Sequence, residues 1–287
     1  MTGRWRTLGR AAGAVGVAAL IAIAGNAAAR ERVSFPSLDG DPGAPIVLTG
    51  EWFAARSAVP APAVVLMHGC GGAVDRHGEP TLRMRRYADL LNRAGVHALV
   101  VDSLTPRYEI ELCTQRLGKR RVTQVNRRLD ALGAVAFLAQ RDDVDARRIG
   151  LMGWSHGGSS VLAASNLRHR DVAAAQVRPA FAIAFYPGCE AELKRGYEPA
   201  APLLILVGEL DDWTPAAPCR ALAKRSGPPV EIETYAGAYH GFDSAQAVRV
   251  RKDVPNGVHP GQGVHVGGNA DAWRASNARW LRFLPDR

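Results

Sequence analysis

Short apolar runs alternate with amphipathic helical patterns from about residue 60 to the C-terminus. The runs have the length of strands buried on both faces, and the patterns between them carry an apolar stripe at helical spacing. This alternation predicts an α/β fold with a mostly parallel central sheet and helices on both faces. The predicted strands are residues 63–67, 98–101, 149–153, 180–185, 203–207 and 230–234. The predicted helices are residues 82–94, 122–140, 156–165, 215–225 and 270–284.

Two regions fall outside this regular alternation. Residues 46–53 have the pattern of a strand, and their position upstream of the parallel series predicts an antiparallel strand at the edge of the sheet. Residues 254–268 are rich in glycine and proline, which predicts a long loop close to His240, a residue considered below.

The N-terminus has the pattern of an export signal. Three arginines among the first ten residues precede an apolar run, residues 11–25, that is too short to span a bilayer comfortably. Ala27, Ala28 and Ala29 follow in an order that signal peptidase accepts. We therefore predict a signal peptide over residues 1–29, cleaved before Arg30, and a single domain over residues 30–287 that is periplasmic or secreted. A membrane anchor is the alternative, and the many alanines and glycines of the run disfavour it.

The basic residues change this picture little. The net charge of +9 falls to +6 when the signal-peptide arginines are removed. Apolar residues interleave at helical spacing with the densest basic cluster, so we interpret the cluster as the solvent-exposed face of an amphipathic helix and expect no nucleic-acid partner. The cluster consists of Lys119, Arg120, Arg121, Arg127 and Arg128.

Four cysteines form an even set in a chain expected to enter an oxidising compartment. They allow three pairings, none of which the spacing alone selects. Cys189 and Cys219 follow successive predicted strands, whose equivalent ends lie close together in a parallel sheet. We therefore hypothesise a Cys189–Cys219 disulfide, with Cys70–Cys113 as the second pair; four buried thiols are the alternative.

The pentapeptide 153–157, Gly-Trp-Ser-His-Gly, has the form G-x-S-x-G. A predicted buried strand ends directly before it and a predicted helix follows, which is the context of a nucleophile elbow. In that arrangement Ser155 stands at the carboxyl edge of the sheet, beside the positive end of a helix. The alternative is an incidental serine in a tight glycine turn.

A serine nucleophile needs a base and an acid that orients the base. Asp211 follows the predicted strand 203–207, and His240 lies in a glycine-rich loop after the strand 230–234. We predict Ser155, Asp211 and His240 as the catalytic triad, with Asp212 as the second choice for the acid and Glu209 as a distant third. Their order along the chain is that of α/β-hydrolases.

The substrate carbonyl also needs two fixed donors when it becomes an oxyanion. We expect these to be the backbone N–H groups of His156 and of Cys70, which lies in a glycine-rich loop after the strand 63–67. His68, Trp154 and Trp213 are expected to line the substrate pocket. His259 and His265 lack a cysteine or carboxylate at ligand spacing, so no metal and no other cofactor is expected.

The chain resembles the dienelactone hydrolase family from residue 64 to the C-terminus. The resemblance rests on residues 65–72, 101–107 and 186–189, on the elbow, and on the blocks that hold Asp211 and His240. Dienelactone hydrolases proper have a cysteine where this chain has Ser155, and a glutamate where it has Gly69.

The resemblance implies an α/β-hydrolase fold and hydrolysis of a small carboxylic ester or lactone through an acyl-serine intermediate. Two other functions fit the same motifs. One is a serine peptidase of the prolyl oligopeptidase type, and the other is a non-catalytic cell-envelope protein built on a hydrolase fold.

Overall fold

Eight strands form the central sheet of the computed structural model, which describes residues 1–3, 30–41 and 43–285. Almost all of the predicted signal peptide therefore lies outside the described residues. The strands are β1 (Arg30–Asp41), β2 (Ala44–Phe53), β3 (Ala61–Met67), β4 (His97–Asp102), β5 (Val144–Trp154), β6 (Phe181–Phe185), β7 (Leu203–Gly208) and β8 (Val230–Tyr235). Their order across the sheet is β1-β2-β4-β3-β5-β6-β7-β8. The pairs β1–β2 and β2–β4 are antiparallel. The remaining pairs are parallel, as predicted.

Helices cover both faces of this sheet. The α-helices of the described residues are α1 (Leu82–Arg93), α2 (Gln124–Leu138), α3 (His156–Ala164), α4 (Arg170–Ala174), α5 (Glu190–Arg195), α6 (Ala216–Ser226) and α7 (Ala270–Phe283). Successive residues of β3 point to opposite faces, because side chains alternate along a strand. Val65 and Met67 join the core formed with α2, α3 and α6, whereas Val64 and Leu66 join the core formed with α1 and α7. This explains why β3 is apolar without alternation.

The edge of the sheet differs from the prediction. The strand expected at residues 46–53 is antiparallel, as predicted, but it is not an edge strand, because β1 pairs along its outer side. In β1 the buried positions Val33 and Phe35 alternate with exposed polar ones, and this short pattern did not lead to a prediction. The prediction of a long loop over residues 254–268 is also partly wrong, since this region contains β10 (Val264–Val266), which pairs with β9 (Arg249–Arg251).

The interpretation of the basic cluster as one solvent-exposed helical face is wrong. Lys119, Arg120 and Arg121 precede α2, which begins after a capping box formed by Thr123. Arg127 is completely buried. It lies on the apolar stripe of the helix, in register with four core residues at helical spacing. These residues are Ala131, Ala134, Val135 and Leu138.

The cysteines form two disulfides, Cys70–Cys113 and Cys189–Cys219, as hypothesised. The Cα atoms of each pair are 5.0 Å apart. Cys70 lies in the loop after β3, so the first bridge connects this loop to the segment between β4 and α2. The second connects the residue before α5 to α6. Each bridge therefore holds a connection at the carboxyl edge of the sheet.

We predict that replacing Cys189 and Cys219 together by serine lowers the free energy of unfolding by about 3–4 kcal/mol, the loop-closure entropy of a segment of this length. Denaturant titration of the non-reduced protein measures this difference. Wild-type protein unfolded with a reductant serves as the control, and peptide mapping without reductant checks the pairing. A Cys70–Cys189 peptide, or four thiols open to alkylation, would contradict the pairing.

Candidate active site

Four connections meet at the carboxyl edge of the parallel strands. The loop that holds Cys70 follows β3, and Ser155 follows β5 directly. Asp211 comes after β7, and His240 comes after β8. Because parallel strands end at the same edge of a sheet, residues far apart in the chain are brought together there.

Ser155 stands on a strained turn between β5 and α3. Its φ and ψ angles are 54° and −117°, a conformation that is rare for a residue with a side chain. A Cβ atom at Gly157 would lie 2.0 Å from the carbonyl oxygen of Met67, and one at Gly153 would lie 2.4 Å from the carbonyl oxygen of Gly157. Glycine is therefore required on both sides, as the motif predicted. The Ser155 N–H donates to the carbonyl of Phe185 in β6, which ties the turn to the sheet.

A continuous hydrogen-bonded chain joins Ser155, His240 and Asp211. The Oγ of Ser155 lies 2.9 Å from Nε2 of His240, and Nδ1 of His240 lies 2.8 Å from Oδ2 of Asp211. All three residues are at least nine-tenths buried. The structure thus brings together the three residues predicted as a triad.

Asp211 is held by several donors. The N–H groups of Trp213 and Thr214 donate to Oδ1 over 2.9 and 2.8 Å, and the Thr214 hydroxyl lies 3.1 Å from Oδ2. The imidazole of His240 packs against two aromatic rings, with centroid distances of 4.6 Å to Tyr186 and 4.7 Å to Trp213. The acid and the imidazole therefore have little freedom to reorient.

The two other candidate acids contact different groups. Asp212 accepts hydrogen bonds from the backbone N–H of His265 over 2.8 Å and pairs with its Nδ1 over 2.7 Å. It thereby fixes the segment that contains β10. Glu209 contacts Thr234 and Arg220 at the surface. Among the described contacts, Asp211 is the one of these three acids that lies at hydrogen-bonding distance from His240.

The loop after β3 lies against Ser155. A Cβ atom at Gly69 would be 3.5 Å from the carbonyl oxygen of Trp154 and 3.7 Å from Cβ of Ser155. The carbonyl of Cys70 accepts a hydrogen bond from the N–H of Leu112 over 2.7 Å, so the loop is held from its other side as well. Cys70 borders the same cleft as Ser155, whereas the N–H of His156 lies in the first turn of α3. Their roles as oxyanion donors remain predictions.

A cleft of about 220 Å³ opens over Ser155. Trp154 borders it, but with its side chain completely buried against Tyr87 and Phe185, whereas Trp213 lines it, as expected. His68 does not: it is completely buried beneath the cleft, where Nδ1 faces the carbonyl oxygen of Gly69 over 2.6 Å and Nε2 accepts from the N–H of Ser103. Burial, reinforced by the charge of Arg127, holds the pKa of His68 well below its usual value, so the ring is neutral.

A buried carboxylate near His240 was missed by the sequence reasoning. Asp243 accepts hydrogen bonds from the hydroxyls of Tyr87 and Tyr186 over 3.0 and 2.7 Å, and it forms an ion pair with Arg83. Burial raises the pKa of both tyrosines well above the usual value, so their hydroxyls stay protonated and can donate. Asp243 follows His240 by three residues and fixes its loop to α1 and to the residue after β6. No local motif marks a partnership between residues so far apart in the chain.

The basic side chains of the cleft were missed for the same reason. Arg83 comes from α1, and Arg249 and Arg251 come from β9. In the described part of the chain, no group of three or more His, Cys, Asp or Glu side chains is arranged to hold a metal ion.

Comparison with solved structures shows the same fold in several hydrolases. A dienelactone hydrolase from Anabaena variabilis is 21% identical and aligns over 75% of this chain and 89% of its own, with a TM-score of 0.57. A dienelactone hydrolase-like promiscuous phosphotriesterase from metagenomic libraries is 18% identical over 89% of this chain and 98% of its own, with a TM-score of 0.59. A thermophilic esterase from Thermogutta terrifontis, solved with propionate bound, is 17% identical over 91% of this chain and 97% of its own, with a TM-score of 0.58. At these identities the likeness shows the shared α/β-hydrolase fold.

No curated protein sequence matches the chain significantly. A sequence model of one family does match, over residues 50–284, which span every strand of the parallel sheet and all the residues of the site. The chain therefore belongs to the dienelactone hydrolase family.

Proposed function

We propose that the chain is an exported serine hydrolase that cleaves a small carboxylic ester or lactone through an acyl-serine intermediate. The observation that carries the proposal is the hydrogen-bonded chain from Ser155 through His240 to Asp211 at the floor of an open cleft. Membership of a hydrolase family and the esterases among the similar structures support the same reaction class.

In the first half of the reaction, Oγ of Ser155 attacks the carbonyl carbon of the ester. Its proton passes to Nε2 of His240, which lies 2.9 Å away, and the carbonyl oxygen becomes an oxyanion. Asp211 keeps the Nδ1–H of His240 pointing away from the serine and stabilises the imidazolium. When the tetrahedral intermediate collapses, the bond to the alcohol oxygen breaks and His240 returns its proton to that oxygen.

In the second half, a water molecule takes the place of the alcohol. His240 accepts a proton from it, and the resulting hydroxide attacks the acyl carbon. Collapse of the second tetrahedral intermediate breaks the bond to Oγ, which recovers a proton from His240. The carboxylic acid leaves, and Ser155 is regenerated.

The proposed oxyanion donors are the backbone N–H groups of Cys70 and His156. Cys70 borders the cleft beside Ser155, and His156 is the first residue of α3, where the helix leaves its N–H groups without intrahelical acceptors. The oxygen would therefore receive two backbone donors at the positive end of the helix.

Export is proposed on two grounds. The disulfides suit an oxidising compartment, and removal of residues 1–29 leaves β1 and the rest of the described domain entire. Among the described residues, no helix is long and apolar enough to cross a membrane.

We predict that Ser155→Ala abolishes both hydrolysis and labelling by a fluorophosphonate, because loss of a triad nucleophile costs about six orders of magnitude in kcat in a well-studied protease. Assays on p-nitrophenyl esters of graded length, lactones and aminoacyl-anilides measure turnover and rank the substrate classes. Ser165→Ala is the matched control, since Ser165 is a buried serine directly after α3 whose hydroxyl donates to the carbonyl of Val161 and lies 2.7 Å from the hydroxyl of Tyr197. Labelling that persists in Ser155→Ala would assign the nucleophile to another residue, and faster cleavage of anilides than of esters would favour a peptidase.

We predict that Asp211→Asn lowers kcat by about four orders of magnitude, the loss seen when an amide imposes the wrong histidine tautomer. Asp212→Asn is the matched control. It weakens a partly exposed contact to His265, which is worth at most about 1 kcal/mol, or a factor of about five. Steady-state kinetics on the same ester compare the two variants, and the reverse ranking would make Asp212 the acid.

We predict that protein recovered from the periplasm or the medium begins at Arg30, as intact mass determination would show. Ala29→Arg should block cleavage, because signal peptidase requires a small residue directly before the cut. Ala28→Arg is the control, since the middle position of the small-x-small pattern is unrestricted. A full-length chain in the exported fraction would contradict the assignment of residues 1–29.

A further inference from the structure

A completely buried arginine lies directly behind the nucleophile. Arg127 is on the face of α2 that packs on the sheet, and none of its surface is exposed. Its NH1 donates to Nδ1 of His156 over 2.9 Å, and its NH2 donates to the carbonyl oxygen of His68 over 2.7 Å. Its Nε atom has no hydrogen-bond acceptor among the described residues.

The positive charge of Arg127 has no carboxylate in contact. Within the described part of the chain, no acidic side chain lies within ion-pairing distance of it. The nearby acids are engaged elsewhere: Asp130 binds Ser37 and Arg107, and Asp102 accepts from the backbone N–H groups of Leu104 and Thr105. Burial of an unpaired cation destabilises the folded protein. We therefore expect Arg127 to have a functional role that offsets this cost.

The cluster around Arg127 carries a single positive charge. Burial, together with the neighbouring guanidinium, holds the pKa values of His68 and His156 well below the usual range, so both rings are neutral. Burial lowers the pKa of Arg127 to about 10, which leaves the guanidinium charged at neutral pH. Nδ1 of His156 is therefore the acceptor, and the ring proton is on Nε2.

The two acceptors of Arg127 belong to the two segments that hold the proposed oxyanion donors. His156 is the first residue of α3 and carries one donor in its own backbone. His68 follows β3 and lies two residues before Cys70, which carries the other. A single guanidinium therefore connects both sides of the site where the oxyanion forms.

We propose that Arg127 is a positioning residue for the oxyanion hole, holding the two donor segments in register and favouring the negative charge of the tetrahedral intermediate. The proposal rests on the proposed function. Arg127 undergoes no covalent or proton-transfer step. Its charge acts at the moment when the substrate carbonyl oxygen becomes anionic, inside a region from which solvent is excluded, where electrostatic interactions are strong.

Arg127→Met and Arg127→Lys test the proposal on a p-nitrophenyl ester that the wild type hydrolyses. For Arg127→Met we expect kcat to fall about 10- to 100-fold, less than the hundred- to thousandfold cost of losing a direct donor, with KM changed less than about threefold. Arg127→Lys should retain more activity than Arg127→Met, because it keeps the positive charge. It should remain less active than the wild type, because an ammonium does not reproduce both hydrogen bonds of the guanidinium. The affinity of a trifluoromethyl ketone, which forms a tetrahedral oxyanion on Ser155, should fall by the same factor as kcat/KM.

Arg107→Met is the matched control. Arg107 is also largely buried, but it lies in the segment after β4 and binds Asp39, Asp130 and the carbonyl oxygen of Ser103. Among the described contacts it makes no hydrogen bond to either donor segment. We expect this variant to lower the melting temperature while leaving kcat of the folded protein and the affinity of the ketone within about threefold. Thermal melts of all variants separate folding from catalysis.

Three results would overturn the proposal. One is an Arg127→Met variant that keeps kcat within threefold of wild type. Another is an Arg127→Met variant whose kcat/KM falls only because KM rises, with the ketone affinity unchanged. The third is an Arg107→Met variant whose kcat falls as much as that of Arg127→Met. If Arg127→Met does not fold, Arg127→Lys is judged by the same comparison of kcat, KM and ketone affinity. A wild-type chain without ester hydrolysis would overturn the proposed function and this inference together, whereas an active wild type with an unaffected Arg127→Met would overturn only the inference.

Discussion

The turn at Ser155 depends on a close approach between backbones. The carbonyl of Met67 at the end of β3 and the first turn of α3 pass so near each other that a Cβ atom at Gly157 would lie 2.0 Å from that carbonyl oxygen. Only glycine allows this approach, and the approach is what brings the loop after β3 against Ser155. Without it, the loop and Ser155 would be separated by at least the width of a side chain, and the proposed oxyanion donors would not face the same point.

The remaining parts of the site are loops, and each is held from a second direction. Asp243 ties the segment after β8 to α1 through Arg83 and Tyr87. Asp212 holds the strand β10 through His265. The Cys70–Cys113 disulfide holds the loop after β3, and Asn256 bonds the backbone of the same segment that contains Cys113. These restraints leave the polar groups preoriented, so little reorganisation is needed when charge develops during the proposed reaction.

Local signals were sufficient for much of this architecture. The inner strands β3, β6 and β7 are apolar along their whole length because both faces are covered, so they were predicted closely. The elbow was recognisable because its glycines, its serine and the flanking strand and helix are contiguous in the chain. β1 was missed because only one face of this edge strand is buried, so its few apolar residues alternate with polar ones. β9 and β10 were missed because each is only three residues long.

The sequence by itself determined the α/β class, the positions of the strands that carry the site, and Ser155 and His240 as residues that meet, with Asp211 ranked first of three candidate acids. Each of these follows from a pattern within a short stretch of chain, combined with the rule that parallel strands end at one edge of a sheet. Only the tertiary structure decided which direction the side chains of α2 face and what they contact. Arg127 lies in a basic run that resembles a solvated surface, yet it is buried against His68 and His156. Asp243 and Arg83 are 160 residues apart and form one ion pair. Burial and pairing of this kind depend on how separate elements pack, and the free energy that compensates a buried charge comes from neighbours that no local pattern specifies.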